Sequence, residues 1–255
     1  MKLSHSLGQV LLKDKACIEK ILATLEISGQ NVLEIGPGTG EITGRILEAA
    51  RFLYCVELDT RFYNLLREKF KSSHTIEIFN QDILDFKLCE LNTTVVVFGN
   101  VPYQISNNLM RYLTDNRQYI QKAYLTLQKE FVDKLIARVS TKSYGFLSCF
   151  IQYYARIEKV FDIPAKAFVP VPNVDSSFIR LEFYGQPPYL AKNEIFLFKV
   201  IRGAFSQRRK KIINALAFLQ DIKKVLLALD IDSSLRPENL SLQDYVRISD
   251  KFAQG

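Results

Sequence analysis

The chain has 255 residues and a formal net charge of +7, with 34 basic against 27 acidic side chains. Hydrophobic residues make up 48% of it, which is typical of a soluble globular protein built as one large domain or as one domain with a small appendage. The positive balance favours a polyanionic partner.

The cysteine and histidine pattern argues against a structural metal site. The four cysteines form no C-x-x-C pair, and His5 and His74 lie far apart, so we expect no metal, no disulfide framework and a reducing compartment. The N-terminal apolar run breaks at Lys13, too early for the core of a signal peptide, and no run of about 18 apolar residues could span a bilayer. We expect a cytoplasmic monomer that does not contact a membrane.

The first half of the chain alternates between helical and strand patterns. In chain order, the pattern predicts a helix over 16–25, a strand over 31–35, a helix over 41–49, a strand over 52–57, a helix over 62–70 and strands over 75–79 and 93–98. Such alternation predicts a mostly parallel sheet in a Rossmann-like α/β domain.

The second half predicts how the sheet closes. A helix after Ser106, a strand over 123–127 and a helix from about Glu130 precede two long segments over 146–161 and 176–183. Because only a Pro-rich loop joins those two segments, we interpret them as an antiparallel pair that closes the sheet. A linker over 185–188 then separates a domain over 1–185 from a small C-terminal all-α domain over 186–255.

A glycine-rich turn, G-P-G-T-G at 36–40, directly follows the first strand. In a parallel sheet this is where nucleotide-like ligands bind, and the glycines are needed where a Cβ would collide with the ligand. Glu57 ends the next strand and can accept both hydroxyls of a ribose. Glu34 and Glu41 beside the turn favour S-adenosylmethionine over a nicotinamide dinucleotide, because carboxylates repel a pyrophosphate but tolerate a sulfonium and an ammonium.

Two further strand ends carry groups that suit adenine. Asp82 after the third strand can accept an adenine amino group or cap a short helix, and both interpretations stay open. The segment N-V-P-Y at 100–103 combines the amide oxygen of Asn100, a rigid turn at Pro102 and the aromatic face of Tyr103. It predicts a pocket for a planar ring with an exocyclic amino group; the alternative is a strand that runs into a Pro turn.

The densest positive charge lies in the C-terminal part, on a segment predicted to be helical. It consists of Arg202, Arg208, Arg209, Lys210 and Lys211. These side chains either contact RNA phosphates or form a solvated helix face.

Taken together, these motifs resemble the ribosomal small-subunit RNA adenine N6,N6-dimethyltransferases. The resemblance rests on residues 6–9, 34–40, 56–59, 81–83, 100–106, 168–176, 205–210 and 236–241. It implies a class I S-adenosylmethionine-dependent methyltransferase with one antiparallel strand, acting on two adjacent adenosines near the 3′ end of 16S rRNA in the assembling 30S subunit. The chain departs from the family pattern at Val10, Val101 and Gln104.

The resemblance also implies a role for each matched residue. The cofactor-binding set is Gln9, Leu11, Glu34, Gly36, Gly38, Glu57, Leu58, Asp82, Ile83 and Asn100. The catalytic set is Asn100, Val101, Pro102, Tyr103 and Phe168, in which Asn100 and the Val101 backbone bind the target amino group and the two aromatic rings stack on the flipped base.

Three rival functions share parts of this pattern. A 23S rRNA adenine methylase of the macrolide-resistance type would share the cofactor and target-base motifs. A non-catalytic ribosome-assembly factor would retain the fold and bind RNA, although the intact Glu57, Asp82, Asn100 and Tyr103 argue against it. A nicotinamide oxidoreductase would need a proton donor that the pocket motifs lack.

Overall fold

A computed structural model describes residues 10–253 of the chain. Contacts among these residues define two compact units, one formed by 10–132 with 157–183 and the other by 133–156 with 184–253. The chain enters the second unit twice, at 133 and again at 184, and the second entry lies beside the linker expected at 185–188. Residues 133–156, which precede that linker, belong to the second unit.

The helices and strands follow one another along the whole described chain. They are β1 (Leu11–Leu12), α1 (Lys15–Thr24), β2 (Asn31–Ile35), α2 (Thr43–Ala49), β3 (Phe52–Glu57), α3 (Thr60–Lys69), β4 (Ile76–Asn80), β5 (Val95–Asn100), α4 (Ser106–Asp115), β6 (Ile120–Gln128), α5 (Lys129–Leu135), α6 (Phe146–Tyr154), β7 (Ala155–Ile163), β8 (Phe168–Val169), β9 (Ser176–Phe183), α7 (Glu194–Ser206), α8 (Ile212–Ala215), α9 (Ile222–Ala228) and α10 (Leu242–Phe252). None of these helices is long and apolar enough to cross a membrane.

The first unit contains a seven-stranded sheet in the order β4-β3-β2-β5-β6-β9-β7. The pairs from β4 to β6 are parallel and β9 runs antiparallel to β6, as expected for a class I S-adenosylmethionine-dependent methyltransferase. Parallel strands end at a common edge, so the loops after β2, β3, β4 and β5 meet there. A separate ribbon pairs β1 with β8, and sequence patterns do not reveal strands of two residues.

The central strands are buried on both faces, which explains their nearly continuous apolar sequences. In β2, Val32 and Leu33 have no exposed surface, and the same holds for Val95 and Val97 in β5. Each fully buried aliphatic side chain of this kind contributes about 1.5–3 kcal/mol to stability. The core therefore fixes the strands whose ends carry the predicted motifs.

The expected strand over 146–161 is wrong in its first half, because 146–154 forms helix α6 in the second unit. Aromatic residues favour strands, but here they recur every four residues and their rings pack against one another along the helix. The rings of Phe146 and Phe150 lie 6.0 Å apart, and those of Phe150 and Tyr154 lie 5.5 Å apart. Gln152 adds hydrogen bonds from Nε2 to the carbonyls of Leu135 and Ala137, so tertiary contacts override the local preference.

The expectation that residues 208–211 are helical is also wrong. Helix α7 ends at Ser206, whose hydroxyl donates to the Gly203 carbonyl at 2.7 Å, and the Lys210 N–H closes a turn on the Gln207 carbonyl at 2.9 Å. Four consecutive cations would repel one another on a continued helix. Only Arg202 of the basic set therefore lies on a helix.

Candidate active site

The loops after β2, β3, β4 and β5 border an open cleft at the edge where the parallel strands end. Its lining is Val10, Leu11, Ile35, Gly36, Gly38, Val56, Glu57, Leu58, Phe62, Gln81, Asp82, Ile83, Asn100, Pro102, Gln104 and Ile105. A smaller adjoining pocket brings Glu34, Glu41 and Asn100 together. Strand ends far apart in sequence thus form one site.

The glycine turn has a backbone that other residues rarely adopt. Gly36, Gly38 and Gly40 have φ angles of +65°, +58° and +71°. A Cβ on Gly38 would lie 2.8 Å from the terminal methyl of Leu11, which would have to shift, and the positive φ itself favours glycine. Lys69 holds the turn from α3, because its ammonium donates to the Gly40 carbonyl at 2.8 Å.

Glu57, at the end of β3, already accepts two backbone hydrogen bonds and can accept two more. Its carboxylate accepts the Gly38 N–H at 3.0 Å and the Asp59 N–H at 2.8 Å, one on each oxygen. A carboxylate has about four acceptor positions, so two remain for the hydroxyls of a ribose. Burial raises the pKa of this carboxyl, and the two N–H groups oppose the rise by stabilising the charged form.

Glu34 is almost fully buried at the start of the turn, with 3% of its surface exposed. Burial raises its pKa to about 7, and the neighbouring charge of Glu57 adds to the rise. The thiol of Cys55 lies 3.8 Å from one Glu34 oxygen and partly offsets it. A cation bound in the adjoining pocket would favour the ionised form of Glu34.

Asp82 serves as the cap of a short 3-10 turn, and it also lines the cleft. One oxygen accepts the Leu84 N–H at 2.9 Å, while Ile83 beside it is buried against the site. The capping interpretation of Asp82 is therefore confirmed. Because a carboxylate has two oxygens, capping leaves the second available to an amino group.

Asn100 ends β5 with an amide of fixed orientation. Its Nδ2 donates to the Val10 carbonyl at 3.1 Å, which commits the nitrogen side of the amide to the segment before β1. The oxygen Oδ1 is the opposite arm of the same planar group, so it is left as the acceptor for a guest. Val101 follows with its N–H bonded to the Thr126 carbonyl at 3.2 Å, which anchors the turn to β6.

The two aromatic residues of the predicted catalytic set have different environments. Tyr103 is half-buried in the turn after Pro102, and its hydroxyl hydrogen-bonds the Ser176 hydroxyl at 2.9 Å. Phe168 is 0% exposed: it pairs with Leu12 in the β1 and β8 ribbon, and its side chain packs in the hydrophobic core. Its ring presents no face to a ligand in this structure, and the stacking of a base on Phe168 stays a prediction.

Part of the site has no recognisable signal in the sequence. Val10, Phe62, Gln104 and Ile105 line the cleft without having been predicted as site residues, although 104 and 105 lie in the motif 100–106. Phe62 on α3 belongs to no motif, and its apolar side chain carries no sign of a site. Gln9 lies outside the described residues. Residues 202 and 208–211 lie in the second unit.

The fold and the cleft together define a class I S-adenosylmethionine-dependent methyltransferase. S-adenosylmethionine fits the residues present. The glycine turn leaves room for its backbone contacts, Glu57 offers two acceptor oxygens, Glu34 is a buried acid, and apolar side chains would flank its adenine ring. Within residues 10–253, no group of three His, Cys, Asp or Glu side chains could hold a metal ion.

The chain belongs to the ribosomal RNA adenine dimethylase family, whose model matches residues 1–254. A protein of Desulforapulum autotrophicum named ribosomal RNA small subunit methyltransferase A is 40% identical, over 96% of this chain and 90% of that protein. A protein of the same name from Hahella chejuensis is 38% identical, over 95% of this chain and 90% of that protein.

Solved structures support the same fold. A dimethyladenosine transferase from Plasmodium falciparum superposes with a TM-score of 0.81 at 24% identity, over 93% of this chain and 95% of that chain. The 23S rRNA methyltransferase ErmE superposes with a TM-score of 0.75 at 25% identity, over 96% of this chain and all of that one.

The close approach at Gly38 predicts a selective loss of cofactor binding. Gly38→Ala would place a methyl group against Leu11 and force a left-handed backbone on alanine, so we expect the Kd for S-adenosylmethionine to rise at least tenfold, by about 1.4 kcal/mol. Gly29→Ala is the matched control, because Gly29 has a φ of +67° but no atom within 4 Å of an added Cβ. Both variants should lose stability on heating. Calorimetry showing equal Kd values in the two variants would contradict the steric role of Gly38.

The raised pKa of Glu34 predicts a pH dependence of stability. Between the ordinary value of 4.5 and about 7, the unfolded chain releases a proton that the folded chain keeps. The free energy of unfolding should therefore fall as the pH rises through this window, by up to about 3 kcal/mol. Urea unfolding of the protein and of Glu34→Gln across the window measures this contribution. If Glu34→Gln had the same pH dependence, Glu34 would not be its source.

Proposed function

We propose that the protein transfers methyl groups from S-adenosylmethionine to N6 of two adjacent adenosines in the 3′-terminal hairpin of 16S rRNA, giving N6,N6-dimethyladenosine within the assembling small subunit. The family, and relatives named ribosomal RNA small subunit methyltransferase A, support this assignment. We place the reaction in the cytoplasm and infer that the protein acts as a monomer.

The orientation of the Asn100 amide is the observation that carries the proposal. Because Nδ2 donates to the Val10 carbonyl, the oxygen Oδ1 is the group that can accept a hydrogen bond from an adenine amino group. Asn100 lines both the cleft and the adjoining pocket, so its acceptor lies where cofactor and target base would meet. No proton donor or nucleophile is needed for such a site to work.

The chain's own residues would act by positioning. The amino nitrogen of adenine is a poor nucleophile because its lone pair is delocalised into the ring. Acceptance of its N–H bonds by Asn100 Oδ1 and by a backbone carbonyl of the turn would favour a more pyramidal nitrogen with a localised lone pair. When bound, S-adenosylmethionine would supply the methyl group as an electrophilic carbon on a sulfonium and leave as S-adenosylhomocysteine, and the methylated nitrogen would release its extra proton to solvent. A base within a helix cannot reach this site, so Tyr103 would stack on a flipped or unpaired adenine.

The basic residues of the second unit would hold RNA phosphates, but they are not equivalent. Arg208 is already paired, with Nε 2.5 Å from a Glu238 oxygen and Nη2 3.3 Å from the Thr141 carbonyl. Arg202 lies over the Phe146 ring at 4.7 Å. Arg209, Lys210 and Lys211 are exposed after the end of α7. These three are the best candidates for phosphate contacts, and Arg208 shapes the turn that presents them.

A 23S rRNA target is the alternative that the likeness to ErmE raises. The relatives named for the small subunit share a larger fraction of their residues with this chain, 40% and 38% against 25% for ErmE. Incubation with labelled S-adenosylmethionine and under-methylated 30S or 50S particles, followed by mapping of the modified bases, separates the two. Label in 23S rRNA alone would contradict the small-subunit assignment.

Loss of the amide or of the stacking ring should abolish most turnover. For Asn100→Ala we expect a fall of about 100-fold or more in the rate of methyl transfer, because an acceptor acting on the reacting nitrogen is removed. For Tyr103→Ala we expect a loss of transition-state stabilisation of about 1–3 kcal/mol. The measurement is the initial rate of tritium transfer to under-methylated 30S particles.

The matched control for the amide is Asn107→Ala, which removes an exposed Asn from α4, outside the cleft lining. It should transfer methyl groups at the normal rate. Full methylation by both Asn100→Ala and Tyr103→Ala would contradict the mechanism, whereas absence of transfer by the unaltered protein would favour the non-catalytic assembly factor.

The phosphate-binding role predicts a change in salt dependence. The double variant Arg209→Ala and Lys210→Ala should bind 30S particles more weakly, and the slope of log K against log salt should fall by about 1 for each phosphate that is no longer neutralised. The double variant Lys223→Ala and Lys224→Ala removes the same charge from exposed positions of α9 and is the control. The Kd for S-adenosylmethionine should stay unchanged in both. Equal slopes in the two double variants would contradict phosphate binding at 209 and 210.

A further inference from the structure

The ring of Tyr103 is held at both ends. Its backbone begins the short 3-10 turn Tyr103–Ile105, which closes with the Ile105 N–H on the Pro102 carbonyl at 3.2 Å. At the far end of the ring, the phenol oxygen and the Ser176 hydroxyl form a hydrogen bond of 2.9 Å. A tyrosine side chain has two rotatable torsions, and fixing both the backbone and the hydroxyl leaves the ring one orientation.

Ser176 is itself held in place by burial and by strand pairing. It has no exposed surface and begins β9 opposite Gln128, the last residue of β6. The carbonyl of the preceding Asp175 accepts the Lys129 N–H at 3.0 Å, and the Asp175 carboxylate accepts the Ala165 N–H at 2.9 Å. Because β9 runs antiparallel, its first residue lies at the edge where the parallel strands end. The antiparallel strand thus brings a hydroxyl to the active-site edge of the sheet.

The next residue, Ser177, shows that this arrangement is specific to one position. Successive side chains of a strand point to opposite faces. Ser177 is equally buried, but its hydroxyl donates to the Asp162 carboxylate of β7 at 2.6 Å. Two adjacent serines with the same chemistry and burial therefore have different partners. Ser176 bonds Tyr103 in the turn 100–103, and Ser177 bonds Asp162 on the opposite face of the sheet.

We infer that Ser176 is a positioning residue for methyl transfer: its hydroxyl holds the Tyr103 ring in the orientation that stacks on the target adenine, without touching the base itself. The inference rests on the proposed function and adds a residue to it. Tyr103 then contributes two separable properties, a ring face that binds the base and a hydroxyl that fixes the ring. Pre-setting the ring removes the cost of ordering it when the base arrives.

A double-mutant cycle separates this role from general packing. Ser176→Ala removes the anchor and Tyr103→Phe removes the other hydroxyl but keeps the aromatic ring, so each should slow methyl transfer to under-methylated 30S particles by roughly three- to tenfold. The two changes break the same hydrogen bond, so the double variant should be no slower than the slower single variant. The measurement is the single-turnover rate at saturating S-adenosylmethionine, with the cofactor Kd determined by calorimetry for each variant.

Ser177→Ala is the control and should transfer methyl groups at the normal rate, and the cofactor Kd should be unchanged in all four variants. A normal rate in Ser176→Ala or in Tyr103→Phe, or rate losses that multiply in the double variant, would overturn the positioning role. Absence of transfer to 30S particles by the unaltered protein would instead contradict the proposed function, and the inference with it.

Discussion

The register between the parallel strands β2 and β5 is the constraint on which the site depends. Ile35 pairs with Gly99, so the next residues, Gly36 after β2 and Asn100 at the end of β5, lie side by side at the edge of the sheet. The strands pack tightly there, since a Cβ on Gly99 would lie 3.2 Å from the Ile35 Cβ. A slip of one residue would turn Asn100 to the other face of the sheet and separate the amide from the glycine turn.

A second layer of contacts converts this proximity into an oriented site. The ribbon of β1 and β8 runs beside the cleft, and Val10 just before it provides the carbonyl that fixes the Asn100 amide. Leu11 of the same ribbon closes the space above Gly38. The short segment from Val10 to Leu12 therefore contacts three parts of the site. These are the glycine turn 36–40, Asn100 at the start of the turn 100–103, and the Pro-rich loop that carries β8. The chemistry needs few charged groups because this scaffold fixes the positions of the acceptors.

Those parts of the site that follow a strand directly could be predicted from the sequence. The glycine turn, Glu57, Asp82 and Asn100 each lie at a strand end, and a parallel sheet brings such ends together whatever the loops do. The resemblance to a known family then supplied the cofactor and the target base. The parallel sheet, the antiparallel β9 and the helical C-terminal part were predicted for a related reason, since the alternation of elements and the loop lengths limit the topology.

Other features depend on contacts between residues distant in sequence. Strand pairs of two residues leave no periodic signal, so the β1 and β8 ribbon and the burial of Phe168 within it were not foreseen. The aromatic run that forms α6 has strand propensity, but ring contacts between residues four apart and the hydrogen bonds of Gln152 stabilise it as a helix. The run of cations after α7 looks helical by continuity, and its pairing with Glu238 is a long-range contact.

The central claim is that Asn100 Oδ1 accepts a hydrogen bond from the amino group of the target adenine while Nδ2 stays bonded to Val10. A structure of the protein bound to an under-methylated 30S particle, with an unreactive analogue of S-adenosylmethionine in the cleft, tests it most directly. We expect an unpaired adenine with N6 within about 2.7–3.2 Å of Oδ1 and its ring stacked on Tyr103. An adenine bound elsewhere, or an Asn100 amide turned so that Nδ2 faces the base, would contradict the claim.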